Sequence, residues 1–336
     1  MRRRRWLWLL LLAVPLLIVA ADTVYWRIVE QNLASGFANW RAMQRSAGWQ
    51  VEAGEPTAGG WPVAATLNIP TVAITGDGGL RWTMDRLQLQ VKLWRPATLI
   101  ASAHGTQRLR IGEAPEIRYT AKRMALTMPL RAQTPQHVEL SVADLRAGAA
   151  SLGSLHLNLD FDPTAGSGKP VADVSARAEA ITPAGELAKP LGPRIASLTV
   201  EAALNGPLPP ARDLKEQATA WHDAGGSLVI RHLAMHWGPL DLTASGSLAL
   251  DNRLQPTGSV SAKAIGYAET LDAFAAHGEV TRSAATAAKA VLSLLASYPA
   301  DGGAPSVDVP LSLKDSTLSM RQVPLVRLPT VEWPQD

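Results

Sequence analysis

Across most of residues 61 to 260, apolar residues return at every second position, and clusters of Gly, Pro, Asn and Asp interrupt them. Val63, Ala65, Leu67 and Ile69 form one such run. Leu87, Leu89, Val91 and Leu93 form another, and Leu155, Leu157, Leu159 and Phe161 a third. A period of two places alternate side chains on one face of an extended chain. Segments such as Gly76-Asp77-Gly78-Gly79 and Asp162-Pro163-Thr164-Ala165-Gly166 supply the turns between runs. Short strands with one dry face and one wet face, joined by turns, make an antiparallel meander. The expected fold is therefore mainly β, built on one long, curved and twisted antiparallel sheet.

Three segments break the alternation with helical spacing. From Val24 to about Ala47, Tyr25, Ile28, Val29, Leu33, Phe37, Trp40 and Met43 recur every three or four residues, and Gly48 is a natural stop. Residues 211 to 223 read as a short helix after Pro209-Pro210. Residues 267 to 297, rich in Ala and Leu, read as a longer one that His277-Gly278 can divide. The clearest alternation lies between the last two: Leu228 and Ile230; Leu233, Met235 and Trp237; then Leu240, Leu242, Ala244, Gly246, Leu248 and Leu250.

Ahead of the first helical stretch, Arg2 to Arg5 precede an uncharged apolar run from Trp6 to Ala21. Basic residues hold such a segment's start in the cytoplasm and send the downstream chain across the membrane. Tyr25, Trp26 and Arg27 then resemble an interfacial belt, with Trp6 and Trp8 as its counterpart. Pro15 is tolerated in a membrane span. The expected division is a signal-anchor or transmembrane segment at 1–26, an amphipathic helix at 27–48 and a β-rich domain at 49–336. A subdivision of that domain is expected near 162–193, where Pro, Gly and Ala dominate. The expected membrane contact is through residues 6–26. The competing reading is a cleaved signal, since Val19-Ala20-Ala21 offers the small residues that cleavage before Asp22 requires.

Composition narrows the chemistry. The 336 residues include no cysteine, so there is no disulfide, no thiol nucleophile and no cysteine-ligated metal. The net charge of +3 owes four positive charges to Arg2–Arg5; without them 28 basic residues face 29 acidic ones. Such a balance does not suit a nucleic-acid binder.

No catalytic, cofactor-binding or metal-ligating set emerges, and the expectation is a non-enzymatic protein. His232 and His236 form the closest histidine pair, but they share the polar parity, and a metal site needs a third ligand such as Asp241 or His222. Gly166-Ser167-Gly168-Lys169-Pro170 imitates the end of a phosphate loop, yet Pro163 stands where its first glycine belongs and Pro170 replaces the Ser or Thr. Asp160 and Asp162 flank Phe161 as turn carboxylates. Trp82, Trp94, Trp237 and Trp333 lie at or beside apolar alternations, as core or groove lining.

Gly238-Pro239-Leu240-Asp241-Leu242-Thr243-Ala244-Ser245-Gly246-Ser247-Leu248-Ala249-Leu250-Asp251, followed by Leu254-Gln255-Pro256-Thr257-Gly258-Ser259-Val260, resembles the repeating unit of AsmA-like and TamB-like envelope proteins. Trp49 and Gly60-Trp61-Pro62-Val63 resemble an uncharacterised family of exported proteobacterial proteins, a domain of unknown function. These resemblances imply a single-pass protein of the bacterial inner membrane whose C-terminal domain lies in the periplasm. They also imply a sheet enclosing a greasy groove that takes phospholipid or acyl chains for envelope maintenance. About 300 residues after the anchor make roughly 15 to 18 strands stacked about 4.8 Å apart, short of a full envelope crossing. An interaction scaffold with a closed core is the alternative function, and an envelope hydrolase a third.

Overall fold

The computed structural model describes residues 2–76, 79–130, 136–162, 164–165, 169–185, 190–208, 214–299, 302–320 and 323–333, without the side chains of 2–15, 18 and 323–326. The chain forms two compact units, residues 1–135 and 136–336. Both are mainly β, and every strand pairing within them is antiparallel.

The first unit begins with helix α1 (Arg2–Ser46). Gly48, at φ 86°, ends it. Its amide donates to the Arg45 carbonyl at 3.1 Å, and the Trp49 amide donates to Gln44 at 2.9 Å. This paired closure satisfies two of the last free carbonyls and needs a left-handed residue between them. Strands β3 (Ala64–Thr75), β4 (Arg81–Lys92), β5 (Thr98–Arg110) and β6 (Ile117–Pro129) follow as a meander. Short β1 (Gln50–Glu52) and β2 (Thr57–Gly59) share the outer edge of β3.

Helix α1 closes the apolar face of that sheet. Val29, Leu33 and Phe37 are buried against Leu67, Ile69, Val72, Met84, Leu89 and Val91. Trp26 and Trp40 complete the helix's packed stripe. Tyr25, Ile28 and Met43, expected in the stripe, are instead 39%, 50% and 64% exposed. Helical spacing fixes a stripe's direction, but the width of its contact depends on how the sheet meets it.

The second unit continues as β7 (His137–Ala147), β8 (Ala150–Phe161), β9 (Pro170–Thr182) and β10 (Ile195–Asn205), then α2 (Leu214–Asp223). Strands β11 (Ser227–Trp237), β12 (Leu240–Leu250) and β13 (Pro256–Ile265) lead into the helical hairpin α3 (Tyr267–Ala276) and α4 (Arg282–Leu295). Strands β14 (Ser306–Lys314), β15 (Thr317–Met320) and β16 (Val323–Arg327) finish the chain. Each strand from β7 to β16 pairs with the next. The hairpin breaks where expected, with Gly278 at φ 78°. The Pro-, Gly- and Ala-rich stretches near 162–193 fall between the paired strands β8, β9 and β10.

Two long strands, as well as the short β1 and β2, escaped the sequence pattern. In β9 the inward positions are Val174, Ala176 and Ala178, too small to stand out. In β5 a buried glutamine, Gln107, interrupts the apolar parity. Among the described residues no helix is long and apolar enough to cross a membrane. The expected span at 6–26 depends largely on side chains 6–15 and 18, which lie outside the described residues, as do the turn residues Asp77-Gly78.

Candidate functional site

The second unit carries an uninterrupted apolar face. Directly opposed residues of antiparallel strands share a face, so register traces it. Leu140 opposes Leu157, which opposes Ala176, then Val200, Leu233 and Ala244. The row continues through Ala262 to Val309. A parallel row runs from Val142 through Leu155, Ala178, Leu198 and Met235 to Leu242.

The parity of β11 switches midway, from Leu228 and Ile230 to Leu233 and Met235. A bulge at Arg231-His232 absorbs the extra residue, so both halves stay on the same face. Unlike the closed face of the first unit, most of these side chains are only half-buried; Leu157, Val200, Leu233 and Leu242 are examples.

At one end of the face lies a pocket of about 350 Å³. Leu204, Leu228, Leu248 and Leu250 form its floor, with Trp221 of α2 and Trp333 on its walls. The Trp221 indole donates to the Asn205 carbonyl at 2.9 Å and lies against Gly226. A Cβ at Gly226 would stand 2.2 Å from the ring, so only glycine lets the indole reach this position. Trp333 is held by its own indole donating to Leu254 at 3.1 Å. Two residues earlier, Val331 exchanges hydrogen bonds of 2.8 and 3.1 Å with the Gln255 carboxamide. The lining is almost wholly hydrocarbon and aromatic, with Gln217 its single polar side chain. Such a lining suits apolar contacts, and none of its side chains is acidic or basic.

Residues 26–329 match a family described as an uncharacterized protein conserved in bacteria, DUF2125. The chain belongs to this family. That accords with the resemblance carried by Trp49 and Gly60–Val63. No curated protein and no solved structure matches the chain.

The polar residues of this DUF2125 chain that drew attention in sequence are dispersed over its wet surface. His236 and Asp241 pair across β11 and β12. His232 sits opposite Glu201 on the other neighbour, β10. Among the described residues, no three His, Asp or Glu side chains converge as a metal site would require. Asp160 accepts from His137 at 2.7 Å. Asp162 accepts from the Thr164 hydroxyl at 2.6 Å and amide at 2.9 Å. Those bonds, the hydroxyl's foremost, hold its carboxyl below the usual carboxylate range. Residues 166–168 of the loop that imitates a phosphate site lie outside the described residues.

Three features were not legible beforehand. Arg231, projected by the β11 bulge, grips Asp173 with bonds of 2.5 and 2.6 Å. The guanidinium's hydrogen bonds hold the Asp173 carboxyl below its ordinary value. Gln107 is fully buried in the first unit, and neither carboxamide atom has a partner among the described residues. The pocket itself joins α2 to the segment around Trp333, more than a hundred residues apart, and no local pattern announces that meeting. Of the four tryptophans read as core or groove lining, Trp333 is in the pocket and Trp82 packs on the first unit's core. Trp237 donates to Gly192 at 2.9 Å, whereas Trp94 is 62% exposed.

Proposed function

We propose that the apolar face of the second unit binds acyl chains of a phospholipid or another envelope lipid, with the pocket beneath α2 as its deepest point. The protein acts without chemistry, in lipid transport or envelope maintenance. The observation that carries this reading is the difference between the two units: α1 covers the first sheet's apolar face, while most side chains of the second face, from β7 to β15, stay half-buried, with Val142, Ala262 and Val307 the buried exceptions on the traced rows and their continuation. A large apolar surface left open to water binds something or aggregates. Each methylene it buries contributes about 0.8 kcal/mol, so acyl chains bind without a charged site.

The AsmA-like and TamB-like wording of residues 238–260 points the same way. The dispersed and engaged carboxylates Asp160, Asp162, Asp173 and Asp241 offer nothing to a hydrolase. A closed-core scaffold describes the first unit but leaves the second unit's face without a purpose.

The same reading places the chain at the inner membrane, with residues 6–26 as anchor and the sheet in the periplasm. Leu16, Leu17, Val19 and Val24 of α1 are 73%, 67%, 50% and 60% exposed. An apolar helix segment uncovered by its own protein suits a lipid surrounding.

Mass spectrometry of lipids extracted from the purified full chain tests the function. Near-stoichiometric phospholipid or acyl lipid is the expected result. Lipid-free extracts, from a chain that also fails to take up added phospholipid, would remove this reading in favour of the scaffold.

A further inference from the structure

We propose that the end of the first unit from which α1 emerges is a bilayer-contact surface. There a ring of aromatic and basic side chains sits in the headgroup layer of an anionic lipid membrane. The proposal deepens the anchored reading and rests on α1 entering that membrane.

Trp26 marks the exit point. Its indole donates to the Ala64 carbonyl at 3.0 Å, tying the helix to the first residue of β3. Past this bond, Val29, Leu33 and Phe37 are buried in the domain; before it, the apolar residues named above are uncovered. The sheet brings further apolar groups to the same end. The Leu93 amide donates to the Val63 carbonyl at 3.4 Å, so Trp61, Val63 and Trp94 gather where β3 starts and β4 finishes. They are 49%, 55% and 62% exposed. Leu130, 41% exposed, joins them through its amide bond to Ala97 at 2.8 Å.

Isolated exposed apolar residues need no explanation, but a cluster does. The charges around this cluster select its partner. The Arg27 guanidinium lies 5.9 Å from the Trp26 ring centre, and the Lys92 ammonium 5.9 Å from that of Trp94. Arg95 occupies the turn after β4, and neither 60–66 nor 92–99 contains an acidic residue. The loop at the opposite end, between β5 and β6, carries Glu113 and Glu116, the latter paired with Arg118 at 3.1 Å, with Arg81 and Arg110 facing each other beside it, so that end mixes both signs. Tryptophan prefers the membrane–water interface, where its ring meets acyl carbon and its N–H meets water. Basic side chains beside it are drawn to anionic headgroups. Aromatic rings, bases and an emerging apolar helix at one end fit a lipid surface better than a protein partner.

Because the chain has no cysteine, Val63→Cys and Ile117→Cys each give one unique site for an environment-sensitive dye. Ile117, 52% exposed, reports on the opposite end. The full chain is reconstituted into vesicles of phosphatidylglycerol and phosphatidylcholine in equal parts and floated on a density gradient. At position 63 a blue shift, a severalfold gain in intensity and shielding from aqueous iodide are expected; at 117 none of these. Adding Trp61→Ala and Trp94→Ala should reverse most of the position-63 response.

A chain that floats while its position-63 dye stays water-like overturns the proposal and leaves the anchor standing. So do equal responses at both positions. Shielding at 63 that is already complete in detergent assigns the surface to a second copy and also overturns it. A chain that does not float removes anchor and contact surface together.

Discussion

Trp26 donates its indole N–H to the carbonyl oxygen of Ala64, 38 residues along the chain, at 3.0 Å. The bond divides α1 into a portion packed on the sheet and a portion whose described apolar residues Leu16, Leu17, Val19 and Val24 are exposed. Trp26→Phe keeps the ring and removes the donor. It should cost about 1 kcal/mol in urea unfolding, with the helix content by circular dichroism unchanged.

Leu89 and Leu242 both lie on apolar sheet faces, yet aspartate should act differently at each. Leu89 is buried in the core that α1 closes. An unpaired carboxylate there has no route to water, and Leu89→Asp should lose more than about 4 kcal/mol, enough to prevent folding of the first unit. Leu242 is half-buried on the second unit's open face. Leu242→Asp should cost about 1–2 kcal/mol, fold, and lose lipid co-purification. Circular dichroism and lipid mass spectrometry on both variants separate an open face from a closed one; unfolding of both would show the second face closed.

The Arg231–Asp173 pair sets an acid-side dependence. Its hydrogen bonds lower the carboxyl's folded pKa, so its contribution is present above the unfolded value of about 3.9. It is lost as pH falls through the lower folded value. Asp173→Asn should therefore be less stable than the parent at pH 7 by roughly 0.5–1 kcal/mol, the pair being partly exposed. The difference should shrink as pH falls through that lowered value and vanish below it. A difference that persists there would assign the loss to something other than charge.

Gln107 buries both carboxamide atoms without a partner among the described residues. Removing a desolvated, unpaired polar group relieves its penalty, and methionine keeps the volume. Gln107→Met should raise the urea midpoint, by an amount equivalent to about 1–3 kcal/mol, with the slope unchanged. A fall in stability would show that the carboxamide is paired in solution.

The sequence by itself determined most of the long strands, the helices and the family. Each of these is local: period-two alternation, three-and-four spacing, the stop at Gly48, the break at His277-Gly278, and the Trp49 and Gly60–Val63 wording. Where the local signal weakened, so did the reading; Ala176 and Ala178 hid β9, and Gln107 helped hide β5. Only the tertiary structure decided which apolar faces are covered. Leu89 and Leu242 stand in equally regular alternations, and nothing near either reveals that α1 lies over one while the other stays half-open. The β11 bulge keeps Ile230 and Leu233 on one face although their numbers imply opposite faces, because register comes from the neighbouring strands. Alternation records how a strand's side chains divide between two faces. The cover over each face is set by contacts between residues far apart in the chain, such as Trp26 with Ala64 or Trp333 with Leu254.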